Sequence, residues 1–247
     1  MAEALLFIVG VITGFINVLA GGGSFLTVPI LIFMGLPPTV ANGTNRLGIF
    51  MQSLFAVRSF HRYGVFPFKF AVFVAIPATL GSLFGAYFAT VISENAFKNY
   101  LAILMVVITL ITLYNPLNKL KVDKDKALSR GRKIAIFIIF FFIGIYGGFI
   151  QAGVGFLVLA GMMLTGYDLL SGNAVKMFVT LVFTTFSLVI FIASGKVDFM
   201  LGLILGAGSV VGALIGTRVS VRKGNKFIQY FVTVCVIIFA IKLLLFN

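Results

Sequence analysis

Eight apolar stretches of membrane-spanning length follow one another along this chain, near residues 4–20, 39–58, 67–91, 97–114, 133–152, 171–193, 198–217 and 226–245. A helix that crosses a bilayer needs about 20 mostly apolar residues. Their number and spacing predict an all-α polytopic membrane protein of about eight transmembrane helices. Two further apolar pieces, 24–35 and 156–166, are too short to cross comfortably and are split from the runs before them by glycines. They read as broken or re-entrant helices. Caps support the boundaries: Ser93 and Glu94, Asp168 and Ser171, and Asp198 precede the fourth, sixth and seventh spans. Short polar and acidic side chains there satisfy free N–H groups and the positive end of the helix dipole. The first stretch carries Glu3 and no basic leader, so it is read as a membrane segment rather than a cleaved signal.

Composition excludes the alternatives. Hydrophobic residues make up 61% of the chain and charged ones 10%, whereas soluble domains are about half apolar and a quarter charged. The net charge of +13 is not a nucleic-acid footprint, because fourteen of the nineteen Lys and Arg sit in Arg58–Lys69, Lys119–Lys133 and Arg218–Lys226, between apolar runs. Charge confined to loops is the positive-inside pattern. The bilayer is therefore an expected partner and nucleic acid is not, while the oligomeric state is left open. The lone cysteine, Cys235, forms no intramolecular disulfide and is read as a small apolar residue.

The chain resembles itself. At a shift of 131 residues Gly64 falls on Gly195, Gly81 on Gly212, Gly85 on Gly216 and Asn42 on Asn173. Nearer the start of each half a shift of 134 sets GFIN (14–17) on GFIQ (148–151). This predicts two membrane repeats, 1–114 and 133–247, joined by a charged cytoplasmic linker, 115–132. With the basic loops all on one side, equivalent loops lie on opposite sides, so the repeats have inverted topology.

Two constellations can carry chemistry. In Asn17-Val-Leu-Ala-Gly21-Gly22-Gly23-Ser24, followed by Pro29, the glycine run and proline interrupt the helix. Unwound backbone at membrane depth is tolerated only where protein buries it or it lines a cavity. A break there frees N–H groups that attract an anion. Gln151, Gly153 and Gly155 form the weaker counterpart. Close helix packing is the competing role for these glycines, and is the expected one for the pairs Gly81/Gly85 and Gly212/Gly216. The second constellation is Asn42, Thr44, Asn45 and Arg46, mirrored by Asn173 and Lys176. A cation near membrane depth faces the protein interior or a cavity, or else snorkels to the interface. Arg46 and Lys176 could flank one anion from two sides. All six acids lie at termini, caps or the linker, so a mid-membrane carboxylate for proton or sodium coupling is missing and coupling would have to ride on the substrate. No catalytic triad, metal-ligand cluster or phosphate loop is present. Neither an enzyme nor a cofactor is expected. A scaffold that anchors a partner through the basic loops is the second reading.

GFINVLAGGGSFLTVPIL followed by GLPPTVANGTNR resembles the sulfite exporter TauE/SafE family of membrane permeases over essentially the whole chain. The second half departs from the motif, with Gly155-Phe156-Leu157 for a glycine run and Met163 for the proline. The resemblance implies transport of sulfite, organosulfonates or related anions, and marks Gly21, Gly22, Gly23, Asn42, Thr44 and Asn45 as motif residues.

Overall fold

The computed structural model describes the backbone of residues 2–114, 129–163 and 165–245. Most of the linker and the side chain of Cys235 lie outside the described residues. Among those residues every regular element is an α-helix: α1 (Ala2–Leu19), α2 (Ser24–Phe33), α3 (Pro38–Arg62), α4 (Phe68–Val91), α5 (Glu94–Tyr114), α6 (Arg130–Phe149), α7 (Val154–Met163), α8 (Leu169–Ala193) and α9 (Phe199–Leu245). The last is two helices in sequence, because Gly224 breaks it with φ 69° and ψ −167°. Its arms, 199–223 and 225–245, answer the two spans read from the sequence there. α6 starts at Arg130, inside the stretch assigned to the linker, where the Ser129 hydroxyl accepts from the Arg132 N–H as an N-cap. At Asp168 and Asp198 the expected caps form: their carboxylates accept from the N–H groups of Ser171 and Leu201.

A few contacts fix the direction of each helix. The Glu94 carboxylate accepts from the Thr39 N–H (2.9 Å) at the start of α3, and from Lys196 (2.8 Å) just after α8 ends. α8 begins at the opposite end, where the Leu170 N–H donates to Asn225 (2.9 Å) and the Tyr167 ring lies 4.8 Å from that of Phe70 at the start of α4. α3 and α8 therefore run antiparallel. α1 runs parallel to the first arm of α9, with Gly10 and Gly14 set against Leu205 and Ser209. α6 runs parallel to α4, with Gly144 and Gly148 set against Ala78 and Ser82. These helices touch backbone to backbone: a Cβ on Gly81, Gly85 or Gly212 would fall within about 2 Å of a carbonyl oxygen of the facing helix. Without a hydrophobic drive between helices in lipid, such close packing is what holds them together.

This arrangement makes the topology inverted. α1 enters from the Glu94 end and α3 starts again at that end, so α2 must bring the chain back. α6 and α7 do the same from the Asp168 end. Each first helix and its ten-residue follower form a re-entrant pair, 10 residues being only about 15 Å of helix. The basic stretches, with Arg58, Arg62 and Lys69, Arg130 to Lys133, and Arg218 to Lys226, all gather at the Asp168 end.

The register of the repeat differs from the sequence alignment at the first helices. Lys176 and Arg46 bind the carbonyls of Val18 and Gly148, and Asn173 and Asn42 those of Leu19 and Phe149. The shift there is 130, not 134. The two shifts differ by one helical turn, and side chains at i and i+4 share a face. Matching glycines cannot detect a slip that preserves the face.

Candidate functional site

Both helix breaks lie at the heart of the bundle. Gly21, with φ 91°, turns the chain out of α1, a conformation that costs any residue with a Cβ about 1–2 kcal/mol. It touches Gly155 at the start of α7: a Cβ on Gly155 would sit 2.4 Å from the Gly21 Cα. Gly153, with φ 76°, makes the matching turn out of α6. The Asn17 side chain accepts from the Gly23 N–H (2.7 Å), closing the first break into a ring, and Gly22 accepts from the Phe25 N–H. α2 starts at Ser24 without any side-chain cap.

The two cations do not snorkel. Arg46 is fully buried and Lys176 is 1% exposed. Each sits two turns into its helix and reaches across to the broken end of the other half's first helix. Lys176 Nζ donates to the carbonyls of Asn17 and Val18 (both 2.8 Å) and to Asn173 Oδ1 (2.6 Å). Three acceptors use the full complement of donors on an ammonium. Arg46 donates to the Gly148 carbonyl (2.6 Å) and to Gln151 Oε1 (2.9 Å), and its guanidinium lies 4.5 Å from the centre of the Phe191 ring. Its Nε has no partner and is buried. A helix end leaves orphan carbonyls and a partial negative charge, so each cation caps a C-terminus that the membrane gives no water to solvate. Neither is paired with a carboxylate among the described residues.

The remaining predicted residues divide into two groups. Asn42 donates to the Phe149 carbonyl (3.0 Å) and accepts from the Gln151 N–H (3.2 Å), and Asn173 donates to Leu19 (3.3 Å); both finish the capping of α6 and α1. Asn45 binds Ser24 (3.1 Å) and Thr27 (2.6 Å), tying α2 to α3. Thr44 belongs elsewhere: its hydroxyl accepts from the Asp198 N–H (2.9 Å), at the N-terminus of α9.

Between the breaks lies a cavity of about 20 Å³, lined by Asn17, Gly21, Ser24, Gln151, Gly155 and Lys176 together with Ile49, Gln52, Val154, Met177 and Thr180. That volume holds a water-sized occupant. Arg46 does not line it, although its partner Gln151 does. The sequence reading missed Gln52 and Thr180. The signal was available: Gln52 lies two turns beyond Asn45 and Thr180 one turn beyond Lys176, each on the same helix face as its predecessor. Gln151 also donates to Thr184 (3.3 Å), one turn further along α8.

Comparison with known proteins agrees over the full length. The family described as sulfite exporter TauE/SafE matches residues 6–243. The chain is 31% identical to a probable membrane transporter protein, ORF9, of a Sinorhizobium species, over 98% of this chain and 92% of that protein. It is 31% identical to a probable membrane transporter protein of Haemophilus influenzae, over 94% and 90% of the two, and 30% identical to the probable membrane transporter protein YfcA of Escherichia coli, over 97% and 88%. No solved structure matches the chain. A whole-length match to one family, on a bundle of apolar helices long enough to cross a membrane, makes this chain a multi-pass membrane protein of the sulfite exporter TauE/SafE family.

Proposed function

We propose that the chain is a permease that carries a small anion, of the sulfite or organosulfonate type, across the cytoplasmic membrane. Its family and the names of its relatives support a membrane transporter. The observation that supports an anion is the charge at the centre of the bundle. Arg46 and Lys176 bring two positive charges with no carboxylate beside them among the described residues. The C-termini of α1 and α6 and the N-termini of α2 and α7 contribute partial charges of about half a unit each, of opposite sign. These nearly cancel. The centre of the bundle keeps a charge of about two, of which only that of Lys176 borders the cavity, in a medium where unpaired charge is costly. An anion is the counter-ion such a site favours.

We read residues 1–114 and 133–247 as the two inverted repeats and 115–132 as their linker. The basic Asp168 end then faces the cytoplasm by the positive-inside rule. With no acid at the site among the described residues, proton coupling would travel on the substrate. The test is uptake into proteoliposomes and thermal stabilisation of purified protein, with sulfite, methanesulfonate, sulfate and acetate, and a neutral sulfone as control. Uptake and stabilisation by at least one anion and none by the sulfone are expected. Silence across the whole panel refutes the reading.

A further inference from the structure

Resting on the permease reading, we infer that the cavity between the two breaks is a monoanion site read by neutral donors, with Gln52 and Thr180 as its specificity-determining contacts. The orientation of Gln52 follows from a chain of hydrogen bonds. The Gly23 N–H can only donate, so the Asn17 atom it meets at 2.7 Å is the amide oxygen. The Asn17 nitrogen therefore faces Gln52 and donates to Oε1 (3.4 Å). This leaves the Gln52 NH₂ group for the cavity it lines, where it meets no protein acceptor among the described residues. Gln52 is 1% exposed. Facing the cavity rather than packed protein, this NH₂ group is a donor that a bound anion can meet.

The other donors around the cavity are also neutral. The Thr180 hydroxyl has no partner among the described residues, and the Ser24 hydroxyl, which accepts from Asn45, keeps its proton to donate. Lys176 lines the same space but spends all three N–H groups on Asn17, Val18 and Asn173. It supplies one unit of positive field and no contact. Arg46, the other charge, is held away by Gln151 and Gly148. One field charge and uncharged donors match one negative charge. A dianion would bring a second charge for which the cavity has no free cationic donor, and would lose more hydration on entry. The space as it stands holds a water, so a small organic anion is admitted only as the Ile49, Val154 and Met177 side chains that close it move apart, and their apolar surface then meets its carbon end. The contacts are unequal in the two halves. At the shift of 131, Gln52 corresponds to Phe183, which does not line the cavity, and Thr180 to Ile49, which does, so neither polar contact has a polar counterpart in the other half.

The experiment compares methanesulfonate, a monoanion, with sulfate, a dianion of similar size, by thermal shift and competed uptake on full-length protein. Wild type, Gln52→Leu and Thr180→Val are measured side by side. Methanesulfonate is expected to bind and sulfate at equal concentration not to bind. Each variant should weaken methanesulfonate by about 10- to 100-fold, the loss of a hydrogen bond to a charged group. Sulfate binding as tightly as methanesulfonate, or unchanged affinity in either folded variant, overturns the inference and leaves the permease reading standing. Failure of every anion in the wider panel removes both. Thr180→Val is nearly isosteric and keeps the test open if Gln52→Leu does not fold.

Discussion

Replacing Gly155 with alanine puts a methyl group where the two halves of the protein touch. The new Cβ would lie 2.4 Å from the Gly21 Cα and 2.7 Å from the Gly21 carbonyl oxygen. Carbon atoms in contact sit about 3.5–4.0 Å apart, so the breaks must separate by about 1 Å or more. Both are backbone, so no side chain can swing aside. Overpacking of this kind costs about 1–3 kcal/mol. The functional loss should be larger than the loss of stability, because Gly21 and Gly155 both line a cavity that holds little more than a water. Gly172→Ala is the matched control in the same half. Its Cβ would meet Leu159 and Met162 at 3.6 Å, an ordinary contact, and alanine in a helix is favoured over glycine by about 1 kcal/mol. The assay is thermal unfolding in detergent together with anion uptake in proteoliposomes. Gly155→Ala should lower the melting temperature and abolish uptake, while Gly172→Ala leaves both intact or raises the first. Normal uptake by Gly155→Ala would show that the close approach of the two breaks is not needed, and would refute the argument.

Arg46→Ala and Lys176→Ala should each abolish anion flux, measured as uptake of labelled anion. Lys176→Ala should also lose stability, since three buried acceptors are left unpaired at about 1–3 kcal/mol each, partly offset by removal of a buried charge. Unchanged flux in both variants would remove the two cations from the mechanism. Partial burial works to raise the Glu94 carboxyl, but hydrogen bonds from Lys196 and Thr39 and the Lys196 charge outweigh it and hold it below the usual value. A lowered folded-state value means these contacts stabilise at neutral pH and are lost as pH falls through it. Melting curves from neutral to acid pH should show this loss in the wild type and less of it in Glu94→Gln. The effect should stay within about 1 kcal/mol, because the pair with Lys196 is partly solvent-screened. Gly85→Ala and Gly212→Ala should destabilise by similar amounts, their Cβ atoms falling 2.0 and 1.9 Å from the carbonyl oxygens of Ile145 and Val11. A melting temperature unchanged in either would contradict the backbone-to-backbone packing.

What the sequence determined by itself is what depends on local composition and period. Long apolar runs dictate helices in lipid, caps such as Asp168 mark their starts, and Gly21 to Gly23 must interrupt one. The basic stretches pointed to inverted repeats, because charge sidedness is a property of loops and needs no contacts. The cations were found for the same reason, since Arg46 and Lys176 stand alone in apolar spans. Their roles were not legible. Whether a buried ammonium faces a substrate or a helix end depends on which carbonyls lie within 3 Å, and for Lys176 those belong to residues 158 and 159 positions away. The register of the first repeat helices was hidden because a one-turn slip keeps the same face. Thr44 stands among the predicted site residues yet meets the start of a helix from the other half. Gln52 and Thr180 each share a helix face with a predicted site residue, but nothing local tells that they share a cavity. Only the meeting of α1, α3, α7 and α8 gives them a shared cavity. Helix formation is decided within a few residues, but the donors left over for a ligand are set by bonds between halves more than 100 residues apart.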